Sequence, residues 1–85
     1  MGPTQRLLDR LLILRYQTGD VAALEELVDR YYAPLRYFVR RLLGGAECAD
    51  DIFQEVWLTV FRNLRRLRSP EAFSVWLYRI ARHKV

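Results

Sequence analysis

Cysteine and histidine occur once each, as Cys48 and His83, and that scarcity removes several classes of function at the outset. A lone cysteine excludes an intramolecular disulfide, so a reducing cytoplasm is the expected compartment. The two residues are far apart in sequence and too few for a zinc site; they read as a small helical residue and a surface histidine. Long apolar runs are also missing. The leucine-rich start (Leu7, Leu8, Leu11, Leu12, Ile13, Leu14) is broken by Asp9 and Arg10. It offers neither a signal-peptide core nor the roughly 18–20 residues that span a bilayer. Gly2 would suit myristoylation, but Arg6 stands where that signal needs Ser or Thr. No membrane partner is expected.

Glycine is sparse as well. Gly44-Gly45 precedes a helix, yet no P-loop lysine follows and the nearby acids would repel phosphate, so the pair reads as a helix stop. Asp50 and Asp51 are adjacent, and on a helix their side chains diverge by about 100°, which prevents easy sharing of a proton or metal. No catalytic constellation, metal or cofactor emerges, and the chain is not expected to be an enzyme.

What is present points to an all-α fold. The 85 residues suit one domain. Apolar residues recur at helical spacing throughout, without strand-like alternation, internal repeat or low-complexity segment. Four helices are legible, at about 4–17, 20–43, 47–67 and 70–85. Gly19 suits the left-handed turn that ends the first helix, and Asp20 is placed to cap the second. Leu24, Leu27, Val28, Tyr31, Leu35, Phe38, Val39 and Leu42 line one side of that second helix, and Pro34 inside it predicts a kink. Glu47, Asp50 and Asp51 lie at the positive end of the third helix. Ser69-Pro70-Glu71 is a start signal for the fourth, and nothing near Val85 is a stop signal, so the chain reads as cut from something longer.

Charge is unevenly divided. Residues 62–85 hold seven basic residues (Arg62, Arg65, Arg66, Arg68, Arg79, Arg82 and Lys84) against Glu71 alone, a net +6. Residues 1–61 hold seven basic against nine acidic, a net −2. A basic end of this kind meets a polyanion or is simply solvated. Projected on a helix, Ala49, Phe53, Val56, Trp57, Val60 and Leu64 gather on the core side of the third helix. Asp51, Gln54, Glu55, Leu58 and Arg62 lie opposite. A leucine framed by an amide and two carboxylates has the form of an apolar anchor with a polar rim, suited to a helical partner; a solvated face with one exposed leucine is the alternative. On the fourth helix, Phe73, Trp76, Leu77 and Ile80 read as core. Tyr78, Arg79 and Arg82 face away with His83 at their edge, an aromatic ring among cations that suits single-stranded nucleic acid; a merely solvated Arg/Tyr face is the alternative.

Taken in order, Asp51-Ile52-Phe53-Gln54-Glu55-Val56-Trp57 and then Phe73 with Trp76-Leu77-Tyr78-Arg79-Ile80-Ala81-Arg82 resemble region 2 of extracytoplasmic-function sigma factors. Gly19-Asp20, Leu24, Leu27, Tyr31, Leu35 and the Arg-Leu-Leu-Gly run at 41–44 fit the same pattern, so the resemblance spans roughly residues 7–85. It implies a compact helical domain that binds the β′ clamp coiled coil of bacterial RNA polymerase core through Asp51, Gln54, Glu55 and Leu58. It also implies that residues 67–71 take up a base flipped from the promoter minus-ten element. Positions matching Arg62, Tyr78, Arg79 and His83 would line the single-stranded non-template strand. The pattern commonly has asparagine where His83 stands. A second domain that reads the minus-thirty-five element is absent from these 85 residues. Around the implied pocket, Arg65, Arg66, Arg68 and Arg82 add positive charge. Leu67 and Ser69 are placed to select a base, Pro70 stiffens the turn, and amides of the fourth helix are available as donors. Two rival readings stay open: a helical interaction module, with an anti-sigma factor or other protein as its partner and no direct contact to DNA, and a sequence-independent single-strand binder unconnected to polymerase.

Overall fold

The computed structural model describes residues 2–45 and 48–85. Among them are four α-helices and no strand: α1 (Pro3–Gln17), α2 (Ala22–Leu43), α3 (Ala49–Asn63) and α4 (Phe73–Lys84). Two short 3-10 turns, Leu64–Arg66 and Pro70–Ala72, join α3 to α4. Glu47, expected in the first turn of α3, lies outside the described residues; Asp50 and Asp51 occupy that turn.

Each helix end has a local cause. After α1, the amide of Gly19 donates to the Tyr16 carbonyl (3.0 Å) and that of Asp20 to the Arg15 carbonyl (2.9 Å). Gly19 makes this turn at φ +109°, a conformation that costs glycine little. Gly44 ends α2 in the same way, at φ +69°. Asp20 lies just before α2, which begins at Ala22. Its carboxylate takes Arg15 at 2.7 and 2.9 Å and also interacts with the backbone amides of Ala22 and Ala23 in the first turn, in keeping with the expected capping role. Hydrogen bonding from Arg15 holds that carboxyl below the ordinary carboxylate range. α2 is continuous through Pro34, which lies on its exposed side.

The core joins one face from every helix: Ile13 of α1, Leu27, Leu35 and Val39 of α2, Phe53, Val56 and Val60 of α3, and Phe73, Leu77 and Ala81 of α4. Leu64 is buried with them, and Tyr31 meets Phe73 edge-on with ring centres 5.3 Å apart. Three expectations shift. Leu42 is exposed at the end of α2. Trp76 and Ile80 are only partly buried, because α4 turns the Phe73–Leu77–Ala81 ridge, at four-residue spacing, into the core. The α-helical part of α3 stops at Asn63 rather than continuing to residue 67.

One polar cluster is sealed into this core. Asp9 is 1% exposed. It accepts a short hydrogen bond from the Tyr31 hydroxyl and bonds from Arg30 Nε and Nη2 at 3.2 and 3.1 Å. Arg30 also bonds Gln5 Oε1 at 2.6 Å, so α1 is fixed to α2 by charge-assisted bonds as well as by apolar packing.

Candidate functional site

Two surfaces stand at the ends of the α3–α4 unit. On the outer face of α3, Asp51, Gln54, Glu55, Leu58 and Arg62 are all exposed, with Leu58 48% accessible. Beside this stripe a groove runs between α2 and α3, lined in part by Tyr32, Phe53, Trp57, Leu58 and Phe61. The Trp57 and Phe61 rings stack with centres 6.2 Å apart, and the buried Trp57 indole N–H meets no acceptor among the described residues. Arg36 bridges to Asp50 (3.3 Å) on the rim. Leu58 is therefore the edge of an apolar strip rather than a lone anchor. Sequence reasoning overlooked Phe61, although its spacing of four from Trp57 was a signal. Tyr32 had no such signal, because Tyr31 beside it accounted for the buried face.

The link from α3 to α4 is shaped by a residue far away in sequence. Gln17, the last residue of α1, donates from Nε2 to the carbonyls of Leu64 and Leu67, both at 3.0 Å. The Arg65 guanidinium lies 5.2 Å from the centre of the Tyr16 ring, a cation–π distance. The end of α1 thus grips the link at two points, which periodicity gave no means to find. Leu67 is half-buried, while Arg65, Arg66, Arg68 and Ser69 are exposed and Pro70 is buried. The Ser69 hydroxyl makes no capping bond. The Ser69 carbonyl accepts the Ala72 amide (2.9 Å), and Pro70 accepts that of Phe73. Those two amides are engaged within the chain, contrary to the expectation that they are available to a base or phosphate.

On α4, Arg79, Arg82 and His83 are exposed. Tyr78 differs from expectation: it is half-buried against Phe38, edge to face with ring centres 4.9 Å apart. Burial pushes its phenol pKa up. Among the described residues, no carboxylate lies within ion-pair distance of Arg62, Arg65, Arg66, Arg68, Arg79 or Arg82. The positive charge of this end is thus not taken up in ion pairs among the described residues. No cluster of histidine, cysteine and acidic residues able to hold a metal occurs among the described residues, and no helix of the described residues is long and apolar enough to cross a membrane.

Residues 27–85, which contain both surfaces, match the family model for sigma-70 region 2. The chain belongs to the sigma-70 region 2 family. It is 37% identical over 73 residues to the RNA polymerase sigma-H factor of Pseudomonas aeruginosa, covering 86% of this chain and 38% of that protein. It is 36% identical over 78 residues to the ECF RNA polymerase sigma-E factor of Escherichia coli, covering 92% and 40%. The sigma-E factor of Salmonella typhimurium matches to the same extent. The chain spans about two fifths of the length of these relatives. No solved structure matches it. The region 2 match begins inside α2, so α1, which supplies Gln17, Tyr16 and Asp9, lies outside the matched residues.

Proposed function

We propose that this chain is a sigma-factor region 2 domain that docks on the β′ clamp helices of bacterial RNA polymerase core. In transcription initiation it would hold the single-stranded non-template strand of a melted minus-ten element. The observation that carries the reading is the division of one α3–α4 unit into two chemistries. An acidic, leucine-centred face lies along α3, and a link rich in unpaired arginines lies at its far end. Asp51, Gln54, Glu55 and Leu58 form the protein-facing surface, with Tyr32 and Phe61 widening its apolar part. Arg62, Arg65, Arg66, Arg68, Arg79, Arg82 and His83 supply the phosphate-facing surface. Leu67 and Ser69 border the place where a flipped base is held. Extruding a base costs a few kcal/mol, which contacts in such a pocket offset.

Capture of core polymerase by the chain tests the protein-facing half. Leu58→Ala and Gln54→Ala are each expected to lower capture while the thermal melt stays that of the parent, since both side chains point away from the core. Undiminished capture by the Leu58 variant would remove the assignment of this face.

Leu7, Leu11 and Leu14 stand exposed along one side of α1, and this favours a second reading in which the partner is a protein alone, such as an anti-sigma factor. Salt-dependent binding of a single strand separates the two readings, because only a polyanion releases counterions.

A further inference from the structure

The groove between α2 and α4 carries chemistry that the two surfaces above leave unused. It has a volume of about 400 Å³ and is lined by Pro34, Tyr37, Phe38, Arg41, Leu42 and Tyr78. Tyr37 is 63% exposed. One helical turn further on, the Arg41 guanidinium lies 5.7 Å from the Tyr37 ring centre, and its Nη1 donates to the Tyr37 hydroxyl at 3.0 Å. This contact orders both side chains without neutralising the charge, since no carboxylate among the described residues lies within ion-pair distance of Arg40 or Arg41. Phe38 and Tyr78, packed edge to face, supply aromatic surface from both helices. None of the lining residues is acidic.

An open ring, an ordered guanidinium and an apolar interior are the groups that hold an unpaired nucleobase and its phosphate. The ring stacks on the base, and the planar guanidinium meets a phosphate or a base edge. A base inside a duplex has both faces covered by its neighbours and presents none to Tyr37. The half-burial of Tyr78 now has a consequence: its ring serves this groove rather than the outer surface of α4.

We infer that the α2–α4 groove binds one unstacked base of a single nucleic-acid strand on the Tyr37–Arg41 pair, so that the strand passes from α4 onto α2. The inference rests on the single-strand reading of α4 given above and adds to it a separate contact on another helix. The unneutralised arginines favour a polyanion over an apolar protein segment as occupant.

The test uses short single-stranded DNA oligonucleotides, each with one abasic position, titrated by fluorescence anisotropy at low salt. The parent is compared with Tyr37→Ala, Arg41→Ala and Arg68→Ala, with thermal melts to verify each fold. Tyr37→Ala is expected to weaken binding of the intact strand about tenfold, the scale of one base–aromatic stack. One abasic position should cost the parent a similar factor and cost Tyr37→Ala nothing further, because the stack is already gone. Arg41→Ala should weaken binding and flatten its salt dependence by about one ion. If Arg68→Ala weakens binding while the Tyr37 and Arg41 variants bind like the parent, the groove assignment alone is overturned. Equal abasic penalties in Tyr37→Ala and parent at every position overturn it too. Loss of polymerase capture in Tyr37→Ala, with strand binding intact, gives the groove to a protein and also overturns it. A parent chain that binds no single strand overturns this inference together with the DNA half of the proposed function.

Discussion

A carboxylate sealed from water is costly unless other groups replace its hydration, and for Asp9 the Tyr31 hydroxyl and the Arg30 guanidinium do so. Tyr31 is affected in turn. Burial first, and then its bond to Asp9, push the phenol pKa well above the usual value of about 10. The folded chain therefore keeps a proton that the unfolded chain has lost above that pH. This contribution to stability is complete below pH about 10 and declines as pH rises further. Tyr31→Phe is expected to cost about 1–3 kcal/mol at neutral pH, because it leaves the buried carboxylate short of a donor. It should also make the alkaline decline shallower. Urea melts from neutral to alkaline pH check both; a decline as steep as the parent's would assign it to other groups. None of this was legible in the sequence, where Asp9 reads as an interruption of a leucine run. Periodicity places Asp9 beside Ile13 and Tyr16, but it cannot reveal a partner 22 positions away.

At the scale of elements, legibility followed the strength of the periodic signal. The buried face of α3 is the expected one, as is its exposed stripe, because large apolar residues dominate the buried side; Phe61, exposed between the two, escaped the pattern. The far end of α3 was not legible, since the turn at Leu64–Arg66 is fixed by Gln17 rather than by local propensity. On α4 the periodic pattern admitted two neighbouring ridges, and packing against Tyr31 selected the one through Phe73 and Leu77. Leu77→Ala should thus destabilise by about 2–5 kcal/mol, as truncation of a sealed aliphatic side chain does. Trp76→Ala should cost less, because part of that ring is already in water and its removal leaves no closed cavity. Parallel denaturant melts decide; a larger loss for Trp76 would mean that α4 is rotated relative to this account.

The whole molecule measures 37 × 26 × 19 Å along its principal axes, so every surface lies within a few Debye lengths of every other at physiological ionic strength. The surfaces proposed to face polymerase and the DNA strand lie on α3 and on the link and helix that follow it. In the proposed function, docking of α3 would fix where the arginines of the link stand and so lower the orientational cost of strand capture. The expected consequence is tighter binding of single-stranded DNA by the complex with core polymerase than by the chain alone, measured at matched salt. Equal affinities would show that the two surfaces act independently.

Gln17 also carries information about time. Its two hydrogen bonds close sequence separations of 47 and 50 residues, whereas α1 and α2 meet across a turn of a few residues. Contacts of long sequence separation form late, once the loop-closure entropy has been met by others. In stopped-flow experiments Gln17→Ala should leave the refolding rate close to the parent's and accelerate unfolding, the behaviour of a residue absent from the transition state. The order of the link would then be set by the last step of folding and lost in the first step of unfolding.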